Sequence, residues 1–441
     1  MRTLTKPGIY LSFIANLLII FGFWLAGSSQ LLWTGTSDIL LAFGRLTGLL
    51  AVYFILLQFL LIGRAVWMEK TFGLDKLAHV HRLNGYLSIL FILLHPILLV
   101  FSTEIVNKRG FFTELTDYLI SSDDLLQAGI AVVLFVAVVF SSIYVARKHL
   151  KYETWYFVHL LTYLAVLLAF GHQLEFGGDF LSNRYFTVYW YLAYLFVFGN
   201  FIYARFLLPL YRLKKYSFTV DELVPENSGA TSVFIKGKNL ATWKIEAGQF
   251  INVRFLTKNF WWQSHPFSVS SLPKNDRLRI TVKSLGDFTS KVQALKKGTR
   301  VLVEGPYGIF TPNPAPQTKY LFIAGGVGIT PIYCLAEKIA AHNDIVILYC
   351  NKTSDDIIFK KELEELAQKQ RLKLHYIMSN EENFKGEKGR IDEEKIMRLV
   401  PDASFRQAYI CGPTPMMESL LKILQKIGIH KEHIHYEKFG W

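Results

Sequence analysis

The segment His81-Arg-Leu-Asn-Gly-Tyr-Leu-Ser-Ile-Leu-Phe-Ile-Leu-Leu-His95 sets two imidazoles inside one long apolar run. At 100° per residue the fourteen steps turn through about 1400°, roughly 40° short of four turns, so both histidines share a helix face about 21 Å apart along the axis. His159 and His172 repeat the arrangement at a separation of thirteen. Thirteen steps fall about 140° short of four turns, so these two align only on a distorted helix, and Gly171 is the residue that would permit it. Imidazoles inside a membrane span are costly and usually mark function. A lone one would be as well explained as a hydrogen-bonded packing residue, but two matched pairs are not. One apolar run separates the two segments, so they cross in the same direction. His81 then meets His159 near one face, and His95 meets His172 near the other. A directly bound transition metal is one option, but two imidazoles are too few ligands for a zinc site. Iron in a porphyrin needs only two axial nitrogens, and two b-type haems fit better. His79 and His149 fall at the ends of runs and read as interfacial.

Composition agrees with a bilayer setting. The 441 residues are 51% hydrophobic and 15% aromatic but only 19% charged, against about 25% charged in average soluble domains. Disorder, a disulfide miniprotein and an ordinary cytosolic enzyme are excluded. Six apolar runs, about 9–27, 38–63, 83–103, 125–146, 156–175 and 186–209, reach the roughly 20 residues a spanning helix needs. The first reads as a retained helix, since its run exceeds a signal-peptide core and Leu25-Ala26-Gly27 is a poor cleavage site. Beyond 211 the pattern becomes that of a soluble α/β protein.

The net charge of +13 belongs to the connections between runs rather than to a nucleic-acid surface. Arg2, Lys6, Arg64, Lys70, Lys76, Arg82, Arg147, Lys148, Lys151, Arg205, Arg212, Lys214 and Lys215 fall on one side; Lys108, Arg109 and Arg184 fall on the other. Thirteen against three puts both termini and the soluble half in the cytoplasm. The expectation is a multi-pass protein of the plasma membrane, in a bacterium the inner membrane. Cys334, Cys350 and Cys411 all lie in the soluble half without CxxC spacing, as in a reducing compartment with neither disulfides nor a thiolate metal site.

In the soluble half, short alternating runs at Tyr216–Leu223, Ala230–Lys236, Gln249–Phe255, Leu278–Val282 and Arg300–Glu304 predict a small antiparallel barrel. A Pro-rich stretch over 311–319 reads as a linker. Strands at 320–324, 345–349, 372–378 and 407–410, with helical stretches between them, predict a doubly wound parallel sheet. Gly325-Gly-Val-Gly-Ile-Thr-Pro331 follows the first of these and opens a helix, a place where backbone amides and the helix N-terminus favour a pyrophosphate.

Several segments carry a resemblance. Ala247–Phe250, His265–Ser271, Lys283–Thr289 and Glu304–Gly308 resemble the flavin domain of the ferredoxin–NADP reductase superfamily. Gly325–Pro331, Ile410–Pro413 and Tyr436–Trp441 resemble its pyridine-nucleotide domain. Joined to six spans with four histidines, the chain resembles the NADPH oxidase and transmembrane ferric reductase family. The architecture implied is a six-helix transmembrane haem bundle over 1–212, an antiparallel FAD-binding β-barrel over 213–312 and a doubly wound parallel α/β NAD(P)H-binding domain over 319–441. Residue by residue, the resemblance implies that His265, Pro266, Phe267 and Ser268 line FAD, with Ser268 close to the flavin ring. Gly286, Asp287, Phe288 and Thr289 would meet the pyrophosphate. Gly325, Gly326, Gly328, Thr330 and Pro331 would hold the nicotinamide nucleotide, with Cys411, Gly412 and Pro413 near its nicotinamide. The terminal aromatic that shields the flavin would be Phe439, with Trp441 as its rival. Arg45 matches a family arginine beside the outer haem.

Two departures bear on substrate. Leu99 stands where oxidases of the family commonly carry a further histidine, and Cys350-Asn351-Lys352 lacks an arginine suited to the 2′-phosphate of NADPH. NADPH and NADH both stay open as donors. The expected activity is electron transfer from cytoplasmic NAD(P)H through FAD and two haems to an external acceptor. Dioxygen giving superoxide leads, and a ferric complex is the alternative. A haem-binding sensor whose nucleotide domain only regulates is the reading from another class. No EF-hand loop is present, so no calcium gating is expected.

Overall fold

The computed structural model describes residues 6–143, 148–150, 152–178, 183–258, 260–312, 317–370 and 372–438. The chain divides into two compact units, Met1–Phe72 with Lys76–Arg205, and Gly73–Asp75 with Phe206–Trp441.

The first unit is helical. Its long helices are α1 (Lys6–Ser28), α2 (Thr36–Ile62), α3 (Leu74–Asn107), α4 (Asp123–Ser142), α5 (Tyr152–Leu168) and α6 (Arg184–Ile202). All six runs are long and apolar enough to cross a membrane, α5 when continued through Phe176, and a helix is the form that satisfies every backbone group without water. Large apolar side chains such as Leu18, Val133, Leu167 and Leu195 stand exposed, as suits lipid rather than water. Between α2 and α6 an aromatic core forms from Tyr53, Phe59, Phe186, Trp190 and Phe201. Ser122 caps α4 by accepting from Leu125 N at 3.2 Å. Asn183 caps α6 by accepting from Tyr185 N at 3.0 Å. Residues Phe111–Ser121 form an eleven-residue helix that the apolar runs did not announce.

The second unit holds two six-stranded sheets. The antiparallel sheet has the order β1-β2-β5-β4-β3-β6, from β1 (Thr219–Asn227), β2 (Ala230–Lys236), β3 (Phe250–Phe255), β4 (His265–Lys274), β5 (Arg277–Lys283) and β6 (Val301–Tyr307). Asn275 and Asp276, at φ 50° and 57°, turn β4 into β5, the backbone of a type I′ hairpin. The parallel sheet has the order β10-β9-β8-β7-β11-β12. Its strands are β7 (Lys319–Gly325), β8 (Asp344–Asn351), β9 (Lys373–Met378), β10 (Glu387–Lys388), β11 (Gln407–Gly412) and β12 (Ile434–Lys438). From β7 the chain winds one way to β8 and later returns to β11 on the other side. The glycine loop leaves β7 at this switch point, where doubly wound sheets bind ligands. It enters α7 (Ile329–Ile339).

Candidate functional site

The four intramembrane histidines come together as two pairs. His81 and His159 have ring centroids 6.2 Å apart, and His95 and His172 have theirs 6.3 Å apart. On α3 the face-sharing follows from an unbroken helix. On the other side α5 stops at Leu168, Ala169 is a turn residue, and a separate helix, Phe170–Phe176, carries His172. The break therefore falls at Ala169 rather than at Gly171. Gly171 serves a close approach instead: a Cβ there would stand 2.2 Å from Oδ1 of Asp124.

Each pair has one anchored ring. Nδ1 of His95 lies 2.8 Å from the Gly44 carbonyl, and Nδ1 of His159 lies 3.2 Å from the Ser142 hydroxyl. Among the described residues, Nδ1 of His81 and of His172 are buried without a hydrogen-bond partner. A Cβ on Gly48 would approach Nδ1 of His95 to 2.7 Å, so the imidazole occupies the space that residue leaves. Leu99 fills the equivalent notch at Gly44, with Cδ2 2.7 Å from a Cβ placed there. Arg45 lies near Gly178, its Cζ 3.4 Å from the Cβ position of that residue. His79 and His149 are both exposed.

In the antiparallel sheet, β3 and β4 pair with Phe250 opposite Ser268 and Asn252 opposite Pro266. Buried polar atoms without partners among the described residues collect around this pair and the loop joining it: Ser268 Oγ, Ser264 Oγ, Thr257 Oγ1, Asn252 Nδ2 and Arg254 Nε. Such groups are rare in folded proteins unless a ligand completes them. His265 stacks on Phe288 at 3.8 Å between centroids, and Phe267 lies 6.5 Å from the same ring, so the two flavin-type segments meet. Burial holds the His265 imidazole below its ordinary pKa and hence neutral. Pro266, Gly286 and Asp287 are exposed. Thr289 is committed within its own turn, accepting from Leu285 N at 2.9 Å and Gly286 N at 3.0 Å.

At the switch point the glycine loop abuts the end of β11. A Cβ on Gly328 would lie 2.1 Å from the Cys411 carbonyl oxygen, and one on Gly325 would lie 2.6 Å from Met416 Sδ. Gly326 has φ +54°. Thr330 and Pro331 are buried, and the Thr330 hydroxyl is bonded to Val327 O at 3.0 Å. Cys411 is fully buried, and burial pushes its thiol well above the ordinary range. Gly412 is buried against Gly325, and Pro413 is exposed. Beside Cys411 in register stands Glu437 of β12. Only 9% exposed, Glu437 is a group that sequence reasoning missed, and its place one residue after Tyr436 in the terminal motif was the available signal. Phe439 and Trp441 lie outside the described residues.

Among the described residues no three His, Cys, Asp or Glu side chains gather as a metal site. The paired histidines fit a metal that brings its other ligands with it. With metal–nitrogen distances of about 2.0–2.1 Å, and ring centres about 1.1 Å further out, two opposed imidazoles have centroids about 6.3 Å apart. The observed pairs match that separation.

Residues 47–170 match the family described as ferric reductase like transmembrane component. Residues 226–311 match an FAD-binding domain, and residues 322–422 match an oxidoreductase NAD-binding domain. The flavohemoprotein of Oceanobacillus iheyensis is 29% identical over 240 residues, 51% of this chain and 58% of that one. The glycine betaine monooxygenase reductase subunit of Pseudomonas aeruginosa is 34% identical over 153 residues, 33% of this chain and 42% of that one. The chain thus spans about half the length of these relatives. Among solved structures, the FAD/NAD-binding domain of nitric oxide dioxygenase from Vibrio cholerae is 23% identical with a TM-score of 0.46, covering 51% of this chain and 98% of that one.

Proposed function

We propose that this multi-pass oxidoreductase, which has the domain architecture of the NADPH oxidase and ferric reductase family, moves electrons from cytoplasmic NAD(P)H to an acceptor outside. The observation that carries the reading is the pair of imidazole pairs, each with ring centroids spaced so that its two imidazoles could hold one metal between them. Bound there, two b-type haems would relay single electrons from an FAD that takes hydride from the nicotinamide.

The chain's own residues position these groups. His81 with His159 would hold the inner haem, and His95 with His172 the outer one. Ser268, Asn252 and Arg254 have unused polar atoms with which to meet the flavin. Neutral His265, stacked on Phe288, would form one wall beside it. Gly328 lets the glycine loop reach the end of β11, which would set Cys411 beside the nicotinamide. As a buried, protonated thiol, Cys411 would supply a compact neutral wall there rather than a nucleophile. Glu437 would close the same corner. Phe439 or Trp441 would cover the flavin until the nucleotide arrives.

The proposed acceptor is dioxygen, giving superoxide. Arg45 supports it, since a cation near the outer histidines attracts an anionic product. Ferric-chelate reduction is the second reading, supported by Leu99, which fills the Gly44 notch with an apolar side chain instead of a polar one. The test uses the purified full-length protein. NADH and NADPH are each supplied while haem reduction, ferric-chelate reduction and superoxide dismutase-sensitive cytochrome c reduction are followed. Superoxide formation with two b-type haem signals is expected. Nucleotide binding without haem reduction would overturn the proposal in favour of a sensor, and the absence of a haem spectrum would remove it outright.

A further inference from the structure

We infer that Ser142 and Trp155 are positioning residues that hold His159 in the tautomer needed for ligation, with hydrogen on Nδ1 and a free lone pair on Nε2. The inference rests on the proposed haem reading. If Nε2 binds a metal, Nδ1 must carry its hydrogen and needs an acceptor. The partner Nδ1 has is the Ser142 hydroxyl, 3.2 Å away.

A hydroxyl has one hydrogen and two lone pairs. Ser142 can accept from the imidazole only if its own hydrogen goes elsewhere, and the Val138 carbonyl stands 2.8 Å from Ser142 Oγ. That carbonyl also receives the Ser141 hydroxyl at 2.8 Å. The second lone pair of Ser142 takes the indole N–H of Trp155 at 3.1 Å, and indole nitrogen only donates. The valences close: one hydrogen given, two accepted. The Trp155 ring lies 5.2 Å from the His159 ring at 31°, which limits rotation of the imidazole about its own axis.

The outer pair is anchored differently. Its Nδ1 contact is the backbone carbonyl of Gly44, which no substitution removes. The inner anchor is a side chain, so it alone can be deleted and its effect read on one site of two. Trp155 should oppose Ser142, because an oxygen already receiving an N–H is a poorer acceptor for a second one. Loss of Ser142 weakens electron donation by His159; loss of the Trp155 N–H strengthens it.

The experiment is an anaerobic spectroelectrochemical titration of the full-length haem-loaded protein. In Ser142→Ala one haem should move to higher potential while the other stays in place, and Ser142→Thr should restore it. Trp155→Phe, which keeps a ring against His159, should shift the same haem to lower potential. Loss of a single haem in Ser142→Ala, regained in Ser142→Thr, supports the same assignment. Unmoved potentials, equal movement of both haems, or a Trp155→Phe shift that is absent or of the same sign overturns it. A wild-type protein without any haem spectrum instead brings down the reading beneath it.

Discussion

Gly48 shows how little room a single residue has around His95. An added methyl would stand 2.7 Å from Nδ1, nearer than a real Cβ contact, so the ring would have to leave the Gly44 carbonyl. Gly48→Ala should cost one haem of the proposed two and slow acceptor reduction at least about tenfold, the usual scale for disturbing what orients a metal ligand. Haem content per chain and acceptor reduction by NAD(P)H check both. The histidines themselves test the order of the path. His172→Ala should leave one haem reducible by NAD(P)H while acceptor reduction collapses. His159→Ala should block reduction of the remaining haem. Anaerobic spectra with the reverse pattern would invert both the order and the membrane orientation. Cys411 and Cys334 are buried, and burial pushes Cys334 up to about 12 and Cys411 well above its usual range. Neither thiol should react with iodoacetamide in the native protein at about pH 8, since the thiolate is the reactive form. Mass spectrometry before and after unfolding reads this directly.

At the scale of elements, Arg406 ties the starts of the central strands together. Its guanidinium, 3% exposed, donates to Asp402 Oδ1 at 2.8 Å, to both carboxylate oxygens of Asp344 at 3.1 Å and to the Tyr320 carbonyl at 3.1 Å. Removing a buried partner of this kind leaves acceptors unpaired, and Arg406→Leu should cost about 3 kcal/mol. Hydrogen bonds from Arg406, with help from Lys319, hold the Asp402 carboxyl at about 2 instead of the usual 3.8. A carboxyl depressed in the folded state stabilises fully above its unfolded pKa and loses that contribution as pH falls. The melting temperature should drop between about pH 4 and pH 2, and Asp402→Asn should flatten that part of the curve. This network sits at the amino ends of β7 and β8, away from the glycine loop at their carboxyl ends, so nucleotide binding should survive where stability does not.

For the molecule as a whole, the charge count makes a statement about sidedness. A fluorescent protein fused after Trp441 should fold and emit, while alkaline phosphatase at the same place should stay inactive; the opposite pair of results would turn the chain over. The six spans were legible because about twenty apolar residues in a row have few other uses, and the shared face of His81 and His95 was legible from helical period, whereas the alignment of His159 with His172 was not. The strand β4 was harder to see, since Pro266 and Pro273 punctuate it, and proline argues against a strand. The break at Ala169 left no local mark, because a turn at alanine is decided by packing around it. Ser142 and His159 meet across seventeen residues of separation, and Glu437 gains its setting only when β12 pairs with β11. Neither kind of contact follows from period or composition.

The interruption of α5 also bears on how the protein is built. One rod, α3, carries His81 and His95 and so would set the depth of both proposed haems. Opposite it, His159 belongs to α5, whereas His172 belongs to a separate seven-residue piece. Closing one site therefore does not mechanically close the other. During biogenesis the two should fill independently rather than all at once, so cells short of iron should accumulate half-loaded chains, not a mixture of empty and complete ones.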